Sequence, residues 1–249
     1  MIWTSWVSLL SEWLGAVAVA WILSASPRLR VPRVGFKYAK RDGTVALSLY
    51  AVALAVTVLA ALGFFRSAPG AAALLVIPSE GPQQMLALGA ISLLPFIAAL
   101  FMRKQPIRSI GWNLSTLRPA LQVSLALLLM AIFLRGKAGM ILDGIDLREG
   151  NLFFLALGIA LVENTIFRGY LQMRLQWWLG DWRGLFLTAL LCVVWKLPLW
   201  LTLPTPMLWT NLAIATGQAL VLGWVMHKTG HVLPVAIYHA VSEWFLILG

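Results

Sequence analysis

Long apolar runs separated by short polar segments dominate this sequence. Each run is close to the roughly 20 residues that a helix needs to cross the hydrocarbon core of a bilayer. The runs lack strand-like alternation, and backbone polar groups in hydrocarbon must be satisfied within their own segment, so the pattern predicts helices. The eight predicted spans are residues 7–23, 45–65, 85–102, 119–134, 152–174, 185–203, 208–226 and 232–248.

The composition supports an integral membrane protein. The chain has 249 residues, of which 61% are hydrophobic and only 11% are charged, whereas soluble domains average about 25% charged residues. A net charge of +10 does not indicate a nucleic-acid partner, because the basic residues lie between the apolar runs rather than along one face. We therefore predict a single all-α polytopic membrane domain over residues 1–249, with lipids as neighbours and no nucleic acid.

The distribution of Lys and Arg predicts an orientation. These residues concentrate in the loops that follow the first, third, fifth and seventh predicted spans, including residues 28–41 and 103–118. Because cytoplasmic loops carry the excess of positive charge, these loops are predicted to face the cytoplasm and both termini to lie outside it. The expected location is the cell (inner) membrane.

Ionisable side chains lie deep within three of the predicted spans: Glu163, Arg168, Lys196, His239 and Glu243. A charge at the centre of a membrane helix costs about 2.5–3.5 kcal/mol. The two acids balance the two bases, so we expect pairing in a shared polar cavity, with Lys196 bound to Glu163 or Glu243. In an α-helix Glu163 and Arg168 diverge by about 140°, which would leave Arg168 to brace the site from the side. The simpler interpretation is that such pairs only hold helices together.

Several short motifs in the C-terminal half resemble the CAAX protease and bacteriocin-processing (CPBP, or Abi) family. Residues 163–172 resemble its first motif, a Glu-Glu pair followed after three residues by Arg-Gly. Residues 228–243 resemble its last motif and the turn before it, 192–198 correspond to its middle motif, and 110–112 resemble a Leu-Gly-Leu segment upstream. The resemblance implies a core at residues 105–249 preceded by N-terminal helices at 1–104.

The family resemblance implies specific roles and also exposes three departures. In the family, the first Glu and the middle His activate a water, and the last His and an Asn hold the oxyanion while a peptide bond is hydrolysed. Glu163 matches the base and His239 matches one oxyanion donor. Asn164 stands where the second Glu belongs and would support the site, Lys196 replaces the middle His, and Glu243 replaces the Asn.

The departures favour a catalytically impaired family member. An ammonium at Lys196 paired with Glu163 would make that carboxylate a poor base, and an ionised Glu243 accepts hydrogen bonds and repels developing negative charge. The leading hypothesis is therefore a membrane scaffold, assembly factor or complex subunit with a membrane-protein partner. The alternative is a working intramembrane endopeptidase on a membrane-associated or prenylated peptide. A carrier with a midplane site is a third interpretation, weakened by the absence of internal repeats.

No cofactor or metal is predicted. His239, Glu243 and Glu163 offer ligands that zinc accepts, but an ammonium at Lys196 would oppose a cation beside them. His227 and His231 are four residues apart, and we interpret them as surface histidines. The single cysteine, Cys192, is interpreted as a small buried hydrophobic residue, and Glu12 as a shallow charge that reaches water.

Overall fold

The computed structural model describes residues 2–26, 34–63, 81–201 and 203–248, and the helices named here lie within those ranges. The first four are α1 (Ile2–Ala25), α2 (Ala39–Ala61), α3 (Pro82–Met102) and α4 (Leu117–Leu134). A short α5 (Ala138–Asp143) precedes α6 (Leu147–Asn164), which continues into a π-helix (Thr165–Gln172) and α7 (Met173–Leu179). The last three are α8 (Asp181–Trp200), α9 (Thr205–Thr229) and α10 (Val232–Ile247). Short 3-10 helices at Ile107–Ile110 and Leu114–Thr116 connect α3 to α4.

Seven helical segments within the described ranges are long and apolar enough to cross a membrane, and α10 is a shorter apolar helix. The predicted fold class, an all-α polytopic membrane protein with about eight spans, is confirmed. The fifth predicted span is longer than expected, because α6, the π-helix and α7 form one continuous segment, Leu147–Leu179. The fourth begins earlier than predicted, at Leu114.

Two apolar clusters form the interior. One cluster joins α1, α4, α9 and α10, and the other joins α2, α3, α8 and the π-helix. Helix α6 packs against both α10 and α3 and therefore lies between the two clusters. Its end leads directly into the π-helix of the second cluster. Residues at the junction of α6 and the π-helix are consequently at the centre of the bundle.

The charge of Glu12 lies inside the bundle. Its side chain is fully buried and forms an ion pair with Arg135, which follows α4 directly. The expectation that Glu12 reaches water was wrong, because α1 packs against α4 along this side. The pair supplies the countercharge that a buried carboxylate requires and ties α1 to the end of α4.

His231 caps the last helix. It is the N-cap residue of α10, and its Nδ1 accepts a hydrogen bond from the backbone N–H of Leu233 at 3.0 Å. The residue is only 1% exposed, so the interpretation as a surface histidine was wrong for His231. Burial disfavours the charged imidazolium and lowers the pKa of His231 below its ordinary value.

This cap predicts a dependence of stability on pH. Below about pH 6.5 the unfolded chain binds a proton at His231 that the folded chain does not, so the free energy of unfolding falls as the pH falls. His231→Asn keeps a capping acceptor that does not titrate. We expect its melting temperature in detergent to drop less than that of the wild type between neutral pH and about pH 5.5. An equal drop for both proteins would contradict the assignment.

Candidate functional site

The end of α6 and two later helices bring most of the predicted site residues together. Glu163 and Asn164 are the last two residues of α6, Lys196 lies in α8, and His239 and Glu243 lie in α10. Because α6 packs on α10 and its π-helical continuation packs on α8, these side chains meet at the centre of the bundle. The sequence identified these residues as candidates, and the packing of the helices determines which of them contact one another.

Glu163 and Lys196 form a buried ion pair. Lys196 Nζ lies 2.9 Å from Glu163 Oε1, and the two side chains are 10% and 5% exposed. The same oxygen accepts a hydrogen bond from Cys192 Sγ at 3.3 Å. Cys192 is therefore buried, as expected, but it also serves as a donor to the carboxylate. The signal for this contact was its position one helical turn before Lys196 on the same face.

Asn164 fixes the tautomer of His239. Its Nδ2 lies 2.7 Å from the carbonyl oxygen of Ala160 and 2.9 Å from His239 Nδ1. A carbonyl oxygen can only accept, so the atom facing Ala160 must be the amide nitrogen, which then donates to His239 Nδ1 as well. A neutral His239 therefore carries its proton on Nε2.

The protonated nitrogen of His239 faces Glu243. Nε2 lies 3.6 Å from Glu243 Oε1, which is beyond hydrogen-bonding distance but close enough for electrostatic attraction. The Glu243 side chain is 34% exposed, whereas that of His239 is 2% exposed. Glu243 is thus the most accessible of the four residues in the two pairs. Among the described ion pairs within 4.0 Å, Lys196 pairs with Glu163 and not with Glu243.

Arg168 lies in the π-helix, not on a regular α-helix. A π-helix pairs each residue with the one five positions away and has more residues per turn than an α-helix. The predicted divergence of Glu163 and Arg168 by about 140° assumed an α-helix throughout and was wrong. Arg168 is 1% exposed and interacts electrostatically with Glu163. Its Nε and Nη1 have no hydrogen-bond partner among the described residues.

The π-helix is held by the segment before α4. A Cβ on Gly169 would lie 2.3 Å from the carbonyl oxygen of Ile110, so only glycine allows this approach. Trp112 Nε1 donates to Thr165 Oγ1 at 3.0 Å. Gly111 has a positive φ of 75° and accepts a hydrogen bond from the backbone N–H of Val232 at 3.0 Å. The segment 110–112 therefore joins the π-helix to the start of α10.

The donor set is better suited to internal pairing than to a metal. Within the described ranges, no three His, Cys, Asp or Glu side chains are grouped so as to hold a metal ion. Of the potential ligands, Glu163 is bound to an ammonium and His239 Nδ1 is occupied by the Asn164 amide. His227 lies elsewhere, where its Nδ1 is 3.2 Å from Gln176 Nε2.

Comparison with protein families supports the resemblance over part of the chain. Residues 149–245 match the family described as type II CAAX prenyl endopeptidase Rce1-like. Residues 149–245, which make up less than half of the chain, are therefore similar to the CPBP family. No curated protein and no solved structure is significantly similar to the chain.

The family match contains all five residues that meet at the centre of the bundle, here called the central cluster: Glu163, Asn164, Lys196, His239 and Glu243. It begins at residue 149, after the 110–112 segment, and ends at residue 245. The two residues that the sequence analysis matched to the family motifs, Glu163 and His239, each face one of the residues that it expected to depart from those motifs. Lys196 faces the first, and Glu243 faces the second.

Proposed function

We propose that this chain is a CPBP-family membrane protein that has lost efficient peptide hydrolysis. It would act through its membrane helices as a scaffold, assembly factor or subunit of a membrane complex. The proposal assigns residues 105–249 as the core, residues 1–104 as additional helices, and the inner membrane as the location with both termini outside the cytoplasm. The observation that carries it is the ion pair between Lys196 and Glu163.

The first support for this proposal concerns the base. A general base must be unprotonated and must have a lone pair directed at the water it activates. Glu163 Oε1 already accepts from Lys196 at 2.9 Å and from Cys192 at 3.3 Å. Both donors stabilise the carboxylate as an anion and occupy this oxygen, which therefore is not available to accept a proton from a water.

The second support concerns the oxyanion. An oxyanion site stabilises negative charge with donors aimed at the place where that charge develops. Here the N–H of His239 Nε2 faces the Glu243 carboxylate at 3.6 Å. A tetrahedral intermediate in that position would bring a second negative charge next to Glu243, and the repulsion would raise the barrier instead of lowering it.

The proposal is tested with the purified full chain in lipid vesicles that contain a prenylated CAAX peptide. We expect wild-type turnover to be no higher than that of Glu163→Ala, because the carboxylate does not act as a base. An active CPBP endopeptidase in the same vesicles is the positive control. Cleavage by the wild type that disappears in Glu163→Ala would overturn the proposal.

A restoring variant makes the same test sharper. The triple change Asn164→Glu, Lys196→His and Glu243→Asn returns the three departing positions to the family pattern. Under the proposal, turnover above the wild-type rate is expected only in this triple variant, and it is lost when Glu163→Ala is added to the variant. If the wild type instead has a measurable turnover and the triple variant turns over more slowly, Lys196 and Glu243 are themselves adapted to catalysis.

One observation supports the second candidate, an active endopeptidase. Glu163 Oε2 is shielded from solvent and has no hydrogen-bond partner among the described residues. That oxygen remains free to accept from a water, with Lys196 holding the other oxygen. Under this alternative Lys196 orients the base, so Lys196→Ala would abolish turnover while Lys196→Arg would retain part of it.

A further inference from the structure

A basic cavity lies apart from the central cluster. Its volume is about 650 Å³, and it lies between the residues before α2, the start of α2 and the end of α3. Four cationic side chains line it: Lys37, Arg41, Arg103 and Arg108. The carboxylate of Asp42 also lines it.

The cations in this cavity outnumber the available carboxylates. Asp42 is buried and already paired with Arg103, and it also accepts from Gln105 Nε2 at 3.4 Å. Among the described residues, no ion pair within 4.0 Å involves Lys37, Arg41 or Arg108. The cavity therefore retains an excess of positive charge, and a bound anion would reduce the repulsion between these cations.

Two further features favour an anion in the cavity. The N-cap of α2 is Tyr38, which makes no capping hydrogen bond through its side chain. The first N–H groups of a helix are otherwise unsatisfied and attract negative charge. Arg103 Nη1 is shielded from solvent and has no hydrogen-bond partner among the described residues. A phosphate oxygen is a suitable acceptor for both kinds of donor.

The position of the cavity favours a lipid as the source of the phosphate. Helices α2 and α3 are both candidate membrane spans, and the cavity lies at their ends, where a spanning helix leaves the hydrocarbon core and meets the headgroup region. Phe36 and Val45 give one wall an apolar surface. Tyr38 is 51% exposed beside it, and tyrosine is typical of membrane interfaces.

We propose that this cavity binds a phosphate group, supplied by the headgroup of an anionic phospholipid. Arg41, Arg108 and Lys37 hold the phosphate oxygens together with the free N–H groups of α2, and an acyl chain lies against Val45. Juxtamembrane basic residues attract anionic lipids in general, whereas here the cations converge on one cavity. The inference is independent of whether the central cluster hydrolyses peptides.

The test measures lipid binding to the purified full chain in a neutral detergent by native mass spectrometry. The ligands are phosphatidylglycerol, phosphatidylcholine and inorganic phosphate. We expect the wild type to bind one phosphatidylglycerol at least about tenfold more tightly than phosphatidylcholine, because only the former brings uncompensated negative charge. Arg41→Gln with Arg108→Gln should weaken that binding by about tenfold or more. Arg41→Lys with Arg108→Lys should retain more of the binding.

The matched control is Arg118→Gln with Arg183→Gln. Both of these arginines are exposed and lie outside the cavity, and the control removes the same net charge. Its binding should stay within about twofold of the wild type. Equal losses in the two glutamine variants would overturn the proposal in favour of diffuse surface charge, as would equal affinity for the two lipids. Inorganic phosphate binding as tightly as phosphatidylglycerol would keep the phosphate site and overturn the lipid as its source.

Discussion

Replacing Lys196 by methionine is expected to lower the free energy of unfolding by about 3–5 kcal/mol, because it leaves the Glu163 carboxylate buried without a countercharge. The two side chains are 10% and 5% exposed and 2.9 Å apart, so little water is available to replace the lost partner. For a chain of this size such a loss corresponds to a fall in melting temperature on the order of 10 °C. Thermal unfolding in detergent measures it.

The control for this prediction removes both charges together. Glu163→Gln with Lys196→Met leaves neutral side chains of similar volume, and replacing a whole buried ion pair is often close to neutral. We expect the double variant to recover most of the stability lost by Lys196→Met, with a large coupling energy in the resulting cycle. A double variant as unstable as the single one would show that the methionine disturbs packing and that the pair contributes little.

Cys192 offers a local measurement of the same effect. It is the single cysteine of the chain, it is 4% exposed, and its Sγ lies 3.3 Å from Glu163 Oε1. Maleimide labelling in the folded protein therefore reports how often the site opens. Labelling should be faster in Lys196→Met than in the wild type and slower again in the double variant.

The spans and the charge pairing follow from the sequence for the same physical reason. Hydrocarbon cannot satisfy a polar group, so a run of apolar residues predicts a helix and a charge inside that run predicts a partner. The all-α polytopic fold is confirmed on this basis, with seven helices long enough to span and one shorter apolar helix among the described residues. Lys196 Nζ lies 2.9 Å from Glu163 Oε1 in the structure. What the sequence left open was which carboxylate Lys196 would choose.

The features that the sequence did not predict depend on tertiary contacts. Nothing in residues 165–172 by themselves distinguishes a π-helix from an α-helix, and all eight residues are buried against neighbouring elements. Glu12 and Arg135 are 123 positions apart, and their pairing depends on how α1 packs against α4. The contact of Asn164 with His239 likewise spans 75 positions. Hydrophobic periodicity and motif spacing carry no information about contacts between residues so far apart in the sequence.

The approach of Gly169 to Ile110 leads to the second large expected effect. A Cβ at Gly169 would lie 2.3 Å from the Ile110 carbonyl oxygen and 3.1 Å from its carbonyl carbon. Backbone atoms cannot turn aside as a flexible side chain can, so Gly169→Ala must displace the π-helix or the 3-10 helix at Ile107–Ile110. Overpacking of this kind costs about 1–3 kcal/mol, and more where the neighbours are rigid. Thermal unfolding in detergent should show a lower melting temperature for Gly169→Ala.

The substitution Gly150→Ala provides the matched comparison, and it is not expected to lower the stability. It lies in the first turns of α6, and a Cβ there would meet nothing within 4 Å. Alanine favours a helix over glycine by about 0.5–1 kcal/mol, so Gly150→Ala should leave the melting temperature unchanged or raise it. The contact with Ile110 is made by Gly169, which directly follows Arg168 in the π-helix. Gly169→Ala should therefore also speed maleimide labelling of Cys192, whereas Gly150→Ala should leave the labelling rate unchanged. If both alanine variants melted alike and labelled alike, the glycine of this motif would have no structural role in holding the π-helix.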